Sequence, residues 1–490
     1  TQPGFAPSAS RLVGLQLKLN GQASNFTFTG EVRLHHFRVS PSLAIDGPDL
    51  PPVPPCGGTG RVTIVGENLR LDGEPWFVYG GNWRILEYGQ NFGATSWFPQ
   101  GNGVSRHRSF VAAKMDRFRR YGISWVRVGL FDDGRTLFDA DGELVSYTTF
   151  RDDLQALLDS AAAYGLNVEF FLFDYLLAGK AQMVDGEQIR GYRALIEDAG
   201  LRGEFVQDVL TPILKEFAAT NSPWIALDVM NEPEWVIARA DGGDWESVTD
   251  PLTKAASPLD FPAFSNFVAD VTAAVRSESP HLLITLGTSC TTFDLAGRFD
   301  LDYWAVHYYP WMSYHVGDFD TFAANLHIDY PWSAGKPWLL EEYPGTGDFD
   351  VYRDAVAARG GRGLLVWNLS PEIDHATYTY DEETAFLENT RYHAVQTWLD
   401  EHSIAVRIDT VSSDAVDISW HSEAGVFYQP QISTNLHAAE WSDAGAGATG
   451  TGGFVTHTVP LPSPAERACF IRVIRSEASR RDLFRLTTPP

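Results

Sequence analysis

The run Trp224-Ile225-Ala226-Leu227-Asp228-Val229-Met230-Asn231-Glu232-Pro233-Glu234-Trp235 decides the fold of this chain. It is an apolar, strand-like segment that ends abruptly in Asn-Glu-Pro, and proline cannot continue a hydrogen-bonded ladder. A buried strand is therefore predicted to deliver the side chains of Asn231 and Glu232 to its C-terminal tip. Parallel barrels present catalytic groups at this end of their strands.

A second run with the same design is Lys336-Pro337-Trp338-Leu339-Leu340-Glu341-Glu342-Tyr343-Pro344. It too is a short apolar strand that ends in carboxylates and then a proline. If a strand-helix unit takes about 35 to 40 residues, the gap of about 110 residues between the two runs corresponds to about three units. Two acidic strand tips at that spacing are expected to face each other across the mouth of one barrel.

Apolar strand-like runs alternate with helical periods from Arg61 to about His402. This alternation predicts an α/β fold, a TIM (β/α)8 barrel. The predicted barrel strands are Trp76–Asn82, Trp125–Phe131, Val168–Asp174, Ile225–Asn231, Leu282–Gly287, Tyr303–Tyr308, Trp338–Glu342 and Gly363–Trp367. The predicted helices are Phe110–Tyr121, Asp152–Tyr164, Gly203–Ala219, Phe261–Ser277, Phe349–Arg359 and Phe386–Glu401. Arg61–Leu71 is predicted to form a small hairpin that caps the barrel bottom.

The remaining segments predict smaller β units on either side of the barrel. Residues 1–46 contain strand-like alternation and resemble the closing strands of carbohydrate-binding jelly rolls. Residues 47–60 are rich in proline and predict a stiff linker, so the catalytic barrel is placed at 61–402. Residues 403–490 predict a C-terminal β-sandwich, which resembles an accessory module of secreted bacterial hydrolases. This resemblance implies an extracellular or periplasmic location, and a structural role is favoured for the module.

Composition excludes several classes of partner. The formal charge of -26 over 490 residues disfavours nucleic acid and anionic membranes, because binding phosphate requires a basic surface. The sequence contains no apolar run of about 18 residues that could span a membrane.

The cysteines Cys56, Cys290 and Cys469 lack metal-ligand spacing, so neither a metal nor another cofactor is predicted. The chain begins at Thr1 without a signal peptide, and we interpret this start as that of a mature or trimmed form.

The two acidic strand tips predict chemistry on a glycosidic bond. Such a bond is broken most readily by two carboxyl groups on opposite sides of the anomeric carbon, one protonated and one ionised. Asn231-Glu232-Pro233, together with Glu342 in Leu339-Leu340-Glu341-Glu342-Tyr343, resembles the retaining β-glycosidases of clan A, closest to glycoside hydrolase family 5. The resemblance spans the whole barrel. It implies double displacement through a covalent glycosyl-enzyme, with Glu232 as acid/base and Glu342 as nucleophile.

Further strand ends match supporting positions of that family. Arg127 matches the arginine that holds the nucleophile ionised, and Asn231 matches the amide that bonds the sugar 2-hydroxyl. His307 and Tyr309 match the pair that follows the sixth strand, and a tyrosine hydroxyl is expected to donate to the nucleophile. Trp367 matches the platform under the sugar at the cleavage point. Family 5 cellulases often carry histidine after the third strand, whereas this chain has Asp174, which is expected to bind a hydroxyl instead.

Three geometric expectations follow for the two acids. The carboxyl groups of a retaining pair lie about 5 to 5.5 Å apart. Side chains alternate along a strand, so only one of Glu341 and Glu342 is expected to point into the mouth, and Glu342 is preferred because it directly precedes an aromatic residue. Arg127 and Tyr309 are expected to depress the pKa of Glu342.

Aromatic residues in the catalytic-face loops predict contacts with sugar rings. The five candidates are Trp83, Trp97, Trp235, Trp245 and Trp311, and we expect roughly two or three of them to stack on sugars while the others pack under loops. Asn82, at the end of the first predicted strand, is a further supporting candidate.

Four functions remain open from the sequence, of which the last is transglycosylation with the same residues. The first is an endo-acting glycanase on a neutral polysaccharide, with β-mannan or β-glucan preferred. The second is an exo-acting β-glycosidase in which a loop closes one end of the cleft. The third is a non-catalytic carbohydrate-binding protein on a barrel that has lost activity. The expected partner is a polysaccharide or oligosaccharide substrate, and the chain is expected to be a monomer.

Overall fold

A computed structural model describes the barrel in seven segments and the C-terminal strands in shorter pieces. The barrel segments are residues 61–86, 89–93, 103–139, 141–184, 187–237, 258–345 and 349–370. The C-terminal pieces are residues 406–411, 415–421, 427–433, 442–451, 454–460 and 470–475, and positions 387 and 390 are also described. The predicted N-terminal β segment and linker lie outside these residues, as does all of the helix predicted at Phe386–Glu401 except those two positions.

The strands follow the predicted order closely. In chain order they are β1 (Val62–Val65), β2 (Asn68–Leu71), β3 (Glu74–Pro75), β4 (Val78–Asn82), β5 (Trp125–Gly129), β6 (Asn167–Phe171), β7 (Gln182–Val184), β8 (Glu187–Ile189), β9 (Trp224–Asp228), β10 (Leu283–Thr285), β11 (Gly287–Ser289), β12 (Trp304–His307), β13 (Trp338–Pro344) and β14 (Gly363–Trp367). The strands from β4 to β14, except the β7-β8 hairpin, pair in parallel as one sheet in the order β10-β9-β6-β5-β4-β14-β13-β12-β11. This sheet confirms the predicted TIM barrel.

Helices occupy the connections between the barrel strands. They are α1 (Arg108–Arg120), α2 (Thr148–Tyr164), α3 (Ala194–Glu197), α4 (Ala199–Glu204), α5 (Thr211–Phe217), α6 (Phe261–Glu278), α7 (Ser313–Val316), α8 (Phe319–Asp329) and α9 (Phe349–Ala358). A π-helical turn at Phe205–Leu210 joins α4 to α5. The sequence prediction missed α8, although its buried residues Phe319, Phe322, Ala323 and Leu326 have helical spacing. Among the described residues, no helix combines the length and apolar character that crossing a bilayer requires.

The fifth barrel strand is split in two, and its halves pair with different neighbours so that the sheet closes into a barrel. The predicted strand Leu282–Gly287 is observed as β10 and β11, with Leu286 between them. β10 pairs with β9, whereas β11 pairs with β12 on the other side. On the opposite side of the barrel, a Cβ on Gly80 would lie 2.4 Å from the backbone oxygen of Trp125, so only glycine permits the close approach of β4 and β5.

The barrel bottom is closed by the predicted hairpin. Val62 and Leu69 from β1 and β2 are buried in one apolar cluster with Trp76, Trp125 and other residues from the lower ends of the barrel strands. This burial removes the apolar lower opening from water and confirms the predicted cap. The upper ends of the strands are thus the side on which a site can form.

The described C-terminal strands form two antiparallel sheets. The first contains Val406–Val411, Ala415–His421 and Phe454–Pro460. The second is centred on Phe427–Ser433, which pairs with Phe470–Arg475 and two short strands. The ring of Trp420 in the first sheet lies 5.9 Å from that of Tyr428 in the second. These strands lie within the predicted C-terminal module, and a complete β-sandwich remains a prediction.

Candidate active site

The guanidinium of Arg127 is the centre of the candidate site. Arg127 lies on β5, points into the barrel and is fully buried. Its Nη1 donates to Asn82 Oδ1 at 2.7 Å and to Glu342 Oε1 at 2.9 Å. Its Nη2 donates to Asn231 Oδ1 at 2.6 Å and to Asp228 Oδ2 at 2.5 Å. One cation therefore holds polar side chains from the ends of three other strands in a fixed arrangement.

The two predicted acids meet above Arg127. One carboxyl oxygen of Glu232 and one of Glu342 lie within 4.8 Å of each other. His307 lies between them, with Nδ1 3.0 Å from Glu232 Oε1 and 3.7 Å from Glu342 Oε2. The Tyr309 hydroxyl donates to Glu342 Oε2 at 2.9 Å, and the Trp235 indole N–H donates to Glu232 Oε2 at 3.0 Å. This short spacing is that of retaining pairs, since inverting pairs are about 6.5 to 9.5 Å apart.

A strained turn after β9 aims Glu232 into the mouth. Its backbone has φ 48° and ψ 50°, a left-handed conformation that is uncommon outside glycine. The Glu232 amide donates to the Gly287 carbonyl at 2.8 Å, and the Ser289 amide donates to Glu234 Oε1 at 2.6 Å. Both bonds fasten the turn to β11, so the barrel wall compensates for the local strain.

An irregularity in β13 brings both neighbouring glutamates inward. The pairing of β12 with β13 slips, so that Val306 faces Leu340 while the next residue, His307, faces Glu342. Glu341 Oε2 lies 3.2 Å from Arg127 Nε and 3.1 Å from His307 Nε2. The expectation of strict alternation is wrong here, because a bulge adds one residue to the strand and breaks the period of two. Glu342 faces Glu232, whereas Glu341 lies fully buried below it.

The pKa of Glu342 differs from the expected depression. Burial raises the pKa of this carboxyl, and the charge of Glu232 raises it further. The positive charges of His307 and Arg127 and the hydrogen bond from Tyr309 oppose the rise. The sequence identified two of the opposing groups correctly. It could not give the extent of desolvation, which is the largest contribution.

Asp174 positions the amide of Asn231. The Asn231 Nδ2 donates to Asp174 Oδ2 at 3.1 Å, and the Leu176 amide donates to Asp174 Oδ1 at 3.0 Å. Burial raises the pKa of Asp174 to about 7. Asn231 is thus held between Arg127 and Asp174, with its orientation assigned by the partners on both sides. The expectation that Asp174 binds a substrate hydroxyl stays a prediction.

The tryptophans predicted to contact sugar lie in different surroundings. Trp83 is 1% exposed and packs edge-on against Phe118 of α1 at 5.2 Å, so among the five candidates it is one that packs inside the protein. The residue directly follows β4, but its side chain turns outward into the layer between barrel and helix. Trp97 and Trp245 lie outside the described residues.

Two other predicted aromatic sites lie at the mouth. Trp367, at the end of β14, is half-buried, and the Arg84 guanidinium lies 5.8 Å from its ring centre. Trp235 lies 5.9 Å from Tyr175 and 6.4 Å from Trp311, which is 50% exposed. We call Tyr175, Trp235 and Trp311 the aromatic wall. In this wall Trp235 contacts Glu232, and Trp311 reaches the surface.

Sequence reasoning missed four buried acids at the site. These are Glu169 on β6, Asp228 on β9, Glu234 in the turn after β9, and Glu341, which was set aside in favour of its neighbour. A signal was available for the first two. Each is the only carboxylate in a buried barrel strand, and charged residues are almost never fully buried unless they are paired.

His307, Asp133 and Asp139 have protein partners. Both ring nitrogens of His307 contact carboxylates, so this histidine belongs to the acid network. Asp133 forms an ion pair with Arg135 at 2.7 Å. Asp139 Oδ1 accepts from the Asp141 amide at 2.9 Å within a turn. Asp133 and Asp139 thus serve in a local ion pair and a local turn.

Comparisons with known proteins agree with this fold. No family model matches the chain. A mannan endo-1,4-beta-mannosidase from Mytilus edulis is 24% identical over 347 residues, covering 64% of this chain and 89% of that protein. The solved β-mannanase of Mytilus edulis aligns with a TM-score of 0.53 at 18% identity, over 68% of this chain and 97% of its own. An endo-1,4-beta-mannanase from Eisenia fetida aligns with a TM-score of 0.53 at 20% identity, over 67% and 95%. At these identities the solved structures support the fold alone.

Proposed function

We propose that this protein is a retaining glycoside hydrolase of clan A, closest to glycoside hydrolase family 5, that cleaves internal bonds of β-mannan. The observation that carries the proposal is the meeting of Glu232 and Glu342 within 4.8 Å at the mouth of a TIM barrel. Arg127, His307 and Tyr309 surround the pair. Two facing carboxyl groups at this spacing suit glycoside hydrolysis by double displacement.

The reaction proceeds in two displacements at the anomeric carbon. In the first, a Glu342 carboxylate oxygen bonds to the anomeric carbon while Glu232 gives its proton to the departing glycosidic oxygen. In the second, Glu232 takes a proton from water, whose oxygen replaces Glu342 at that carbon. Two inversions give net retention, and both carboxyl groups return to their starting protonation states.

The preference for mannan rests on the relatives and on one position in the site. The relatives named above are described as β-mannanases. Mannose differs from glucose only in the orientation of the 2-hydroxyl, and Asn231 is the group expected to bond that hydroxyl. Asp174 and Arg127 hold this amide on two sides, so it is preorganised for one position of the hydroxyl. β-Glucan is the second candidate polymer.

The aromatic wall favours endo action. Tyr175, Trp235 and Trp311 form a continuous series from the acid/base to the exposed surface. Flat apolar rings at this spacing can stack on successive sugars of a chain that extends beyond the cleavage point. An exo-acting β-mannosidase or β-glucosidase, which needs a closed pocket, is the alternative. A non-catalytic binding protein is disfavoured because the complete acid pair is present.

The proposed setting is outside the cytoplasm, with a neutral polysaccharide as partner. The support for secretion is the resemblance of residues 403–490 to accessory modules of secreted bacterial hydrolases. The net charge of -26 disfavours nucleic acid and anionic membranes as partners. We propose that the chain acts as a monomer, because all of the catalytic groups identified above come from one barrel.

Product analysis on a panel of polysaccharides tests the proposal. The purified protein is incubated with mannan, mixed-linkage glucan, laminarin, xylan and cellulose, and an E342A variant serves as the control for contaminating activity. We expect short oligosaccharides from mannan and a rapid fall in its viscosity. Release of mannose alone would indicate the exo alternative. Hydrolysis of another polymer but not of mannan would contradict the assigned substrate.

The E232Q variant tests the role of Glu232 through the pH dependence of the reaction. An aryl β-mannoside with a dinitrophenolate leaving group needs no proton, so its first displacement should survive the substitution, while mannan hydrolysis should fall by about 10²- to 10⁴-fold. The nucleophile must be ionised, so kcat/KM of the wild type should fall as pH drops through the raised pKa of Glu342. Because Glu232 is uncharged while it serves as the acid, this acid limb should stay in place in E232Q. An acid limb that moves in E232Q would show that Glu232 carries a charge at the start of the reaction, and would contradict its role as the acid.

A further inference from the structure

Met312 ends the short turn that follows Tyr309 at the mouth of the barrel. This turn is a 3-10 helix, Pro310–Met312, which begins directly after Tyr309. The Met312 side chain is fully buried, and its Sδ lies within 3.5 Å of three hydrogen-bond donors. A buried methionine ordinarily fills apolar space, and its thioether is a weak acceptor. Three donors at one buried sulfur indicate a side chain that is held by polar contacts as well as by packing.

The first donor is the backbone of Tyr309 itself. The Tyr309 amide donates to Met312 Sδ at 3.4 Å, and the Met312 amide donates to the Tyr309 carbonyl at 2.8 Å. Pro310 lies between them at the first position of the turn, where the fixed φ of proline suits a helical start. Both polar groups of the Tyr309 backbone are therefore bonded to Met312, which fixes the point from which the tyrosine ring leaves the chain.

The other two donors come from the end of β11. Ser289 Oγ and Cys290 Sγ each donate to Met312 Sδ at 3.5 Å, and both residues are buried. Burial raises the pKa of the Cys290 thiol, so this group keeps the proton that it donates. The Ser289 amide also donates to Glu234 in the turn after β9. Met312 is thus anchored to the same strand end that fastens the turn of the acid/base.

The position of Tyr309 determines how the nucleophile is oriented. The Tyr309 hydroxyl donates to Glu342 Oε2 at 2.9 Å, and Arg127 Nη1 donates to Glu342 Oε1 at 2.9 Å. With one donor on each oxygen, the carboxyl group cannot rotate freely about its axis. A misplacement of about 1 Å in a catalytic arrangement can cost about 10²-fold in rate. Any group that fixes the backbone of Tyr309 therefore affects the attack by Glu342.

We propose that Met312 is a positioning residue for the nucleophile, whose thioether fixes the backbone of Tyr309 so that the tyrosine hydroxyl bonds Glu342. The route runs from the end of β11 through the sulfur and Tyr309 to the carboxyl oxygen, so Met312 acts on catalysis through another residue. The inference deepens the proposed function, and its effect on the reaction rests on the role of Glu342 as nucleophile.

The M312L variant tests the proposal by removing the acceptor. Leucine conserves most of the volume, and protein cores usually tolerate this exchange. The Tyr309 amide loses its partner, so the turn should shift towards another acceptor. We expect kcat for an activated aryl β-mannoside to fall by about threefold to tenfold. M115L is the matched control, because Met115 is equally buried on α1, and its kcat should equal that of the wild type.

A double-mutant cycle with Y309F separates positioning from a merely structural role. Y309F removes the hydroxyl that bonds Glu342 and should lower kcat by about tenfold or more. If Met312 acts through this hydroxyl, adding M312L to Y309F should change kcat by less than about 1.5-fold. An M312L effect of the same factor in both backgrounds would overturn the proposal, as would an M312L variant with wild-type kcat.

The pH profile provides a second readout. The bond from Tyr309 lowers the pKa of Glu342, so its loss should move the acid limb of kcat/KM to higher pH in M312L and Y309F alike. The other charged groups that act on Glu342 remain in both variants; they are Glu232, His307 and Arg127. An acid limb that moves in Y309F but not in M312L would contradict the proposed route.

A crystal structure of M312L tests the geometry without turnover. We expect the distance from the Tyr309 hydroxyl to Glu342 Oε2 to grow beyond about 3.5 Å, the limit of a hydrogen bond. A bond that keeps its length in M312L would overturn the proposal. If this bond is lost in M312L but the wild type hydrolyses no polysaccharide of the panel, the proposed function fails and the positioning of Tyr309 by Met312 stands.

Discussion

Replacing Glu342 by alanine should abolish mannan hydrolysis, lowering kcat by at least about 10⁴-fold. The carboxylate that bonds to the anomeric carbon is lost, and neither Arg127 nor Tyr309 can replace it. The cavity left by the side chain should admit azide, which attacks the same carbon once. The expected product from an activated aryl β-mannoside is the inverted, α-configured glycosyl azide, identified by its NMR anomeric coupling.

The neighbouring glutamate provides a matched control for this experiment. Glu341 has the same chemistry and lies one residue earlier, but it is buried below the mouth and bonds His307 Nε2. We expect E341A to lose activity without rescue by azide, because an anion at that position cannot reach the sugar. Azide rescue of E341A in place of E342A would exchange the two assignments. A product of retained configuration would contradict the nucleophile role altogether.

Replacing Arg127 by methionine should destabilise the protein by about 3 to 5 kcal/mol, the largest stability effect we expect from a single substitution. The guanidinium contacts Asp228, Glu341 and Glu342, and all three carboxyls are buried. Methionine retains most of the stem volume but leaves these acids without their cation. Denaturant unfolding of wild type and R127M at several pH values measures the difference.

The pH dependence identifies the cause of this destabilisation. Without Arg127, the folded-state pKa values of all three acids should rise, because the cation lowers each of them: those of Asp228 and Glu342 already lie above their ordinary values, and that of Glu341 would rise from below its ordinary value. A raised carboxyl pKa costs stability as pH rises, so the deficit of R127M should grow from pH 5 towards neutrality. R359M, which breaks the exposed Arg359–Asp320 pair, is the matched control and should change stability little. A deficit that does not depend on pH would indicate lost packing instead.

Much of the fold was predictable because the local patterns of apolar residues specify the same strands that the folded barrel contains. The strands at Trp125, Trp224 and Trp338 were predicted within one residue of their observed starts, since short apolar runs bounded by turn residues are the signature of buried parallel strands. The split of the fifth strand at Leu286 was not predicted. Its two halves follow one apolar run, and only the need to pair with different neighbours separates them.

The residues of the site were predictable because the C-terminal ends of the barrel strands converge at one mouth. Glu232, Glu342, Arg127, Asn231, His307 and Tyr309 were all placed at strand tips, and the structure brings them together. Trp83 also follows a strand tip but turns outward against Phe118. The direction of one side chain depends on local twist, which residue order does not specify.

The order of residues by itself determined the barrel, its acidic rim and the pair of glutamates that carry the proposed chemistry. These features follow from periodicity and from the rule that parallel strands present their C-terminal ends on one face. The tertiary structure alone decided the charge states. Whether the pKa of Glu342 is raised or depressed depends on how far the carboxyl group is removed from water and on which distant charges and donors it meets. Those are properties of three-dimensional burial, and no local pattern encodes them.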